Sequence, residues 1–132
     1  MQYRYLLIGL ILLLGLGGAA RPVAGTDKVK EATRKAVENY INYASTLATD
    51  GKLAEALQAF DKALALDPNN AEVYSLKGSC LERMGQTKEA EAAYRKAIQL
   101  DPNYKEGYYY LGLFLKRQGR EQEAEQMLRR AR

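Results

Sequence analysis

The chain has 132 residues, 47% apolar and 27% charged, a globular composition sufficient for one domain. Its 20 Lys and Arg exceed its 16 Asp and Glu by only four, too thin a basic excess for nucleic acid as the principal partner. With no His and one Cys, the chain cannot supply a Ser-His-Asp triad, a Cys-His pair, a His-ligated zinc site or an intrachain disulfide. No catalytic residue, metal ligand or cofactor motif stands out, and the balance tilts from catalysis toward binding.

Residues 6–16 read LLIGLILLLGL, preceded by Arg4 and followed by Gly17-Gly18-Ala19-Ala20. A basic start, an apolar stretch and a small-residue exit match a secretory signal cut after Ala20. The alternative is a retained membrane anchor, which Arg21 at the exit slightly favours. The apolar run 5–20 spans about 24 Å as a helix, short of the ~30 Å hydrocarbon core, and Gly9, Gly15, Gly17 and Gly18 weaken it. Residues 1–20 are therefore a signal peptide or membrane anchor, and 21–26 a short linker. Both readings put the rest outside the cytosol, in a periplasm, a lumen or the extracellular space.

Residues 27–49 contain no Gly or Pro. They predict one long helix of about 23 residues, ~34 Å at 1.5 Å per residue, with Thr26 or Asp27 as N-cap. Beyond it a period of 34 organises the chain. Gly51, Gly85 and Gly119 obey it, as do Ala56, Ala90 and Ala124, and Ala63, Ala97 and Ala131. Asp67-Pro68-Asn69 recurs as Asp101-Pro102-Asn103, and segments 51–70 and 85–104 are identical at ten of twenty positions. Such self-similarity marks a duplicated structural unit.

Each unit reads as two helices. In 71–84, Val73, Tyr74, Leu76, Leu81 and Met84 form one broad apolar face, and Gly85 supplies a left-handed terminator. In 88–100, Ala90, Ala93, Tyr94, Ala97, Ile98 and Leu100 fall at helical spacing, and Pro102 stops the helix. Asn69-x-x-Glu72 and Asn103-x-x-Glu106 resemble capping boxes. The small residues Ala56, Ala59 and Ala63, like Ala90, Ala93 and Ala97, permit close approach of a neighbouring helix. A lone hairpin cannot bury both faces, so the units must stack.

These residues resemble the tetratricopeptide repeat (TPR) family, whose pattern is W-x2-L-G-x2-Y, then A-x3-F, then A and P. The Trp column holds Tyr40, Tyr74 and Tyr108. The Leu-Gly pair is met by Leu111-Gly112, partly by Lys77-Gly78 and loosely by Tyr43-Ala44. The later Tyr column holds Leu47, Leu81 and Leu115, and A-x3-F appears as Ala56/Phe60, Ala90/Tyr94 and Ala124/Leu128. The resemblance implies an all-α fold, a right-handed superhelical solenoid of antiparallel helix pairs with about three repeats, near 37–70, 71–104 and 105–132, in a domain covering 27–132. Two positions depart from the pattern. Lys77 replaces an apolar residue, so its stem must pack or turn outward. No solvating helix follows the third repeat, which predicts poor cover for Met127 and Leu128.

In the family the first helix of each repeat lines a concave groove, and the resemblance implies that a partner binds there. The lining stripes are Glu38, Ile41, Ser45 and Ala48, then Glu72, Ser75, Ser79 and Glu82, then Glu106, Tyr109, Leu113 and Lys116, each at 3-4-3 spacing. Tyr104 borders the third stripe. Glu38, Glu72 and Glu106 form an acidic column suited to Lys or Arg of a partner, or else simply complement helix dipoles. Tyr104 and Tyr109 are contact residues or pack on neighbouring helices, and Tyr108 belongs to the core. The groove lacks the Lys, Arg and Asn clamp with which one branch of the family holds chaperone tails.

Residues 116–132 carry a net charge of +3, for an acidic surface or for the helix-end carbonyls. Cys80 reads as a small buried residue, with an intermolecular disulfide as the alternative. Carboxylates such as Glu72 and Glu82 follow helix-surface spacing with no cleft implied, so no enzyme activity is expected. The sequence predicts a non-catalytic interaction scaffold, monomeric or weakly homo-oligomeric, that holds a protein or peptide partner. The alternative is a membrane-anchored assembly factor that keeps its N-terminal segment.

Overall fold

The computed structural model describes residues 24–132; the expected signal or anchor at 1–20 and the start of the expected linker lie outside them. The described residues form helices α1 (Ala24–Thr49), α2 (Leu53–Leu66), α3 (Ala71–Arg83), α4 (Thr87–Leu100), α5 (Lys105–Arg117) and α6 (Glu121–Arg130), with no strand among them. No helix among them is long and apolar enough to cross a membrane. The start of α1 up to Ala32 is an exposed helical segment, and residues 33–132 form a separate compact unit. α1 begins at Ala24, ahead of the expected cap at Thr26 or Asp27. Asp27 instead lies inside the first turn, where its charge complements the helix dipole.

The three hairpins turn at the period-34 glycines, with φ of 79°, 77° and 77° at Gly51, Gly85 and Gly119. A side chain there would strain the backbone. The residue after each glycine donates back across the turn: Lys52 to the Leu47 carbonyl at 2.8 Å, and Gln86 to Leu81 and Arg120 to Leu115, both at 2.9 Å. This Schellman pattern satisfies carbonyls that the helix end would otherwise leave open.

Two cores join the hairpins. The first combines Val37, Ala44 and Leu47 of α1 with Ala56, Ala59, Phe60 and Ala63 of α2, and with Val73 and Cys80 of α3. The second combines Leu81 of α3 with Ala90, Ala93 and Tyr94 of α4, Leu111, Phe114 and Leu115 of α5, and Ala124 of α6. Each core draws on successive hairpins, so burial itself stacks the repeats. The column Ala44/Gly78/Gly112 sets how closely each pair approaches. A Cβ at Gly78 would meet the Tyr94 ring at 2.8 Å, and one at Gly112 would meet Leu128 at 2.7 Å.

Lys77 takes both options foreseen for it. Its stem is largely covered, its side chain being 22% exposed, while Nζ pairs with Asp61 Oδ1 at 2.6 Å. Met127 and Leu128 are half-buried, better covered than expected. Arg130 places its guanidinium 4.2 Å from the centre of the Tyr108 ring, and Lys62 stands 6.0 Å from that of Tyr40, the same 22-residue offset in another repeat. Cys80 is buried with a free thiol, which burial pushes above the usual range. This matches the packing role and leaves no exposed sulfur for a disulfide with another chain.

The helix starts differ from the expected capping boxes. Asn70, not Asn69, caps α3, accepting from the Val73 N–H at 3.1 Å while its own amide donates to Asp67 Oδ2 at 3.0 Å. The turn closes with the Asn70 N–H donating to the Asp67 carbonyl at 3.3 Å, which puts the cap one residue beyond Asn69. In the next repeat the cap position falls on Tyr104, which makes no side-chain cap. Asn103 engages the turn instead, its N–H donating to Asp101 Oδ1 at 3.0 Å.

Candidate functional site

The stripes of α3 and α5 run beside one another, because these two helices pack directly as well as through α4. Their two ends have opposite character. Toward the C-terminal ends, Glu82 is engaged: Arg117 donates from Nε at 2.6 Å and from Nη2 at 2.8 Å, and the Tyr94 hydroxyl donates at 3.0 Å. Burial opposes ionisation of Glu82, but these donors outweigh it and hold its carboxyl below the usual glutamate range. Burial raises the Tyr94 phenol, and the Glu82 carboxylate it donates to leaves it harder still to ionise, against a smaller opposing pull from Arg117. Glu82, expected to meet a partner, is therefore a cross-repeat tie whose acceptor capacity is occupied by the chain itself.

Toward the N-terminal ends the face is open. Glu72 and Glu106 are exposed, and neither has an ion-pair partner among the described residues. Tyr109 is 50% exposed and meets Tyr110 edge-on, with ring centres 6.1 Å apart. Tyr104 is half-buried and seated over Gly107, where a Cβ would meet its ring at 2.7 Å and Ile98 at 3.1 Å. Burial, then Glu72, Tyr110 and Glu106, push its hydroxyl up to about 12. Glu72 and Glu106 thus both act on the Tyr104 hydroxyl.

Ser75 requires a correction. Expected on the groove surface, it is 1% exposed, and its Oγ has no hydrogen-bond partner. The Tyr104 hydroxyl is its polar neighbour across the α3–α5 seam, without the geometry of a hydrogen bond. Ser79 is half-buried beside Tyr94, Leu113 is half-buried, and Lys116 is exposed. On α1, Glu38 is exposed with Arg34 at 3.9 Å, and Ile41, Ser45 and Ala48 are half-buried. Tyr43 is 57% exposed beside a recess of about 350 Å³ lined by Ala36, Asn39, Tyr40 and Tyr43. The sequence pattern places Tyr43 only in a packing column, yet among the described residues no helix covers it.

The basic segment 116–132 is largely engaged within the stack. Arg120 bridges Glu91 and Glu123 at 2.8 Å each, Arg95 joins the same carboxylates, and Arg129 reaches Glu125 at 3.2 Å. Arg117 and Arg120 of this segment tie the third repeat to the second through Glu82 and Glu91, whereas Arg129 pairs within its own helix. Among the described residues no cluster of acidic or Cys side chains is arranged to hold a metal ion.

Comparison with known proteins fits this architecture. One tetratricopeptide repeat family model matches residues 31–71 and 41–105, and a second matches 93–126. No curated protein matches the sequence significantly. Among solved structures, that of MamA has a TM-score of 0.64 at 27% identity; the match covers 73% of this chain and 56% of that one, so this chain spans about half its length. The second TPR of Spaghetti (RPAP3), bound to the HSP90 peptide SRMEEVD, has a TM-score of 0.66 at 21% identity, covering 76% of this chain and 95% of that one. The type III secretion translocator chaperone SycD of Yersinia enterocolitica has a TM-score of 0.66 at 24% identity, covering 74% of each chain.

Proposed function

Because this chain belongs to the tetratricopeptide repeat family, we propose that it is a non-catalytic scaffold that holds a peptide or helix of a protein partner against the first helices of its repeats. Its all-α repeat solenoid is the family's fold. The observation that carries the reading is the open, aromatic and acidic half of the α3–α5 face. Tyr109 offers a large exposed ring there and Glu72 and Glu106 offer free carboxylates, while the other half is closed by Glu82 and Arg117. A bound peptide lies on a surface already ordered by the two cores, so little side-chain or backbone freedom is lost on the scaffold's side. The complex of the Spaghetti repeat with a peptide supports this mode by similarity of fold.

The test is capture of the partner, identified by cross-linking in native extract. Tyr109→Ala weakens capture and leaves the helical circular dichroism intact; equal capture by variant and parent removes the groove assignment. The scaffold acts outside the cytosol in this reading, delivered or tethered by residues 1–20, and aids assembly of a complex there. Mass spectrometry of the mature protein separates the two routes. A chain starting near Arg21 supports export with cleavage, retention of Leu6–Leu16 supports an anchored assembly factor, and a cytosolic location defeats both.

A further inference from the structure

We infer that the cleft between the N-terminal halves of α3 and α5 is a subsite for a Lys or Arg side chain carried on an extended segment of the partner protein. The inference rests on the groove reading and specifies its chemistry. Two independent features converge on the cleft. The first is charge: Glu72 and Glu106 lie one repeat apart, both exposed, both acting on the Tyr104 hydroxyl. Lys105, in the same turn as Glu106, is exposed and pairs with neither carboxylate within 4.0 Å. Neither carboxylate is therefore taken up by an ion pair among the described residues.

The second feature is the Ser75 hydroxyl. A buried polar atom without a partner is uncommon and destabilising. The buried Ser75 hydroxyl neighbours that of Tyr104, on which both carboxylates act. A Lys ammonium brings three donors and an Arg guanidinium five, with no acceptor. Such a group serves Glu72, Glu106 and the Tyr104 oxygen from above, and Tyr104 is then free to turn its own proton toward Ser75. Tyr109, exposed on the next turn, gives the aliphatic stem or guanidinium plane a ring to lie against. An acidic segment finds like charge at Glu72 and Glu106, which sets this cleft apart from one that captures a carboxylate tail.

The test is fluorescence anisotropy of the purified chain with a dye-labelled nonapeptide of alternating Lys and Gly, against the same peptide with Glu for Lys. The Lys peptide binds and the Glu peptide does not. Glu72→Gln and Glu106→Gln weaken binding about threefold each and about tenfold together, as expected for partly exposed ion pairs. Ser75→Ala weakens binding without lowering stability, because it removes an unsatisfied hydroxyl. A control pair, Glu55→Gln with Glu89→Gln on α2 and α4, leaves binding unchanged. The subsite is overturned if the Lys peptide fails to bind, if the Glu peptide binds equally, or if the control pair weakens binding as much as the cleft pair. If it is overturned while Tyr109→Ala still abolishes partner capture, the groove reading stands and only its basic ligand falls.

Discussion

Gly78→Ala tests the packing that sets repeat spacing. The added Cβ would stand 2.8 Å from both Cδ1 and Cε1 of Tyr94 and 3.1 Å from Cγ, against the flat of the ring. The ring is poorly placed to yield. Tyr94 is 1% exposed, stands 5.5 Å from Phe114, and is tethered through its hydroxyl to Glu82 at 3.0 Å. Forcing a methyl into a packed core costs about 1–3 kcal/mol, and alanine in place of helical glycine returns up to about 1 kcal/mol. The expected net loss is about 1–2 kcal/mol, read as a lower urea midpoint by circular dichroism with the slope unchanged. The first repeat supplies the control, since its corresponding pair is Ala44 and Phe60, both buried and free of any hydroxyl tether. Tyr94→Phe alone should cost about 1.5–3 kcal/mol for the lost bond to a charged acceptor. Combined with Gly78→Ala it should cost less than the sum by at least ~0.5 kcal/mol, because the freed ring can shift as Phe60 does. A neutral or stabilising Gly78→Ala, or strict additivity in the double variant, would refute the reasoning.

Other outcomes follow from single contacts. Asn70→Ala should lose about 1 kcal/mol of stability with the cap of α3, whereas Asn103→Ala should be nearly silent in the same urea titration, since only its backbone bonds Asp101. Glu82 is held below its ordinary value of 4.5 in the folded state, so the unfolded chain binds more protons as pH falls. Its stabilising contribution is present above that value and disappears below it; Glu82→Gln should flatten urea midpoints measured between about pH 2 and 6. Tyr104 is held up to about 12, so its phenolate should appear in an ultraviolet titration well above the ordinary tyrosine value of about 10. Glu72→Gln with Glu106→Gln should bring that step down, and an unmoved step would separate the carboxylates from the hydroxyl.

The repeat was legible because it is local. A glycine that must take positive φ, a proline that cannot donate and alanines that allow close approach each leave a mark on the residue itself, and the period of 34 copies the mark. Cap positions were legible to within one residue, since Asn69 and Asn70 are chemically equal and only the turn decides which faces Val73. The site was less legible because it forms between helices. Ser75, Ser79 and Glu82 share a face of α3, but whether each is open depends on what α5 and α4 bring opposite. Arg117 and Tyr94 close over Glu82, while Tyr104 shields Ser75 and leaves Glu72 open. The basic tail shows the same limit. Glu125 and Arg129 pair within one helix turn, but Arg117 with Glu82 and Arg120 with Glu91 join residues 35 and 29 apart, which no local spacing marks.

Those long-range pairs give the two ends of the α3–α5 seam complementary tasks. At one end Arg117 binds both oxygens of Glu82, and the planar guanidinium fixes direction as well as distance. Because α3 and α5 are short helices of 13 residues each, about 20 Å long, a tie at their C-terminal ends limits how far their N-terminal ends can splay. Glu72 and Glu106 are then held at a set separation without any bond between them. A flexible seam would let the two like charges drift apart and lose their joint pull on a single cation. If the subsite is as proposed, the closed end contributes to recognition although it touches no ligand: Glu82→Gln should loosen the grip on the Lys peptide even at neutral pH, where the chain is folded. Unchanged anisotropy in that variant would show that the two ends act independently.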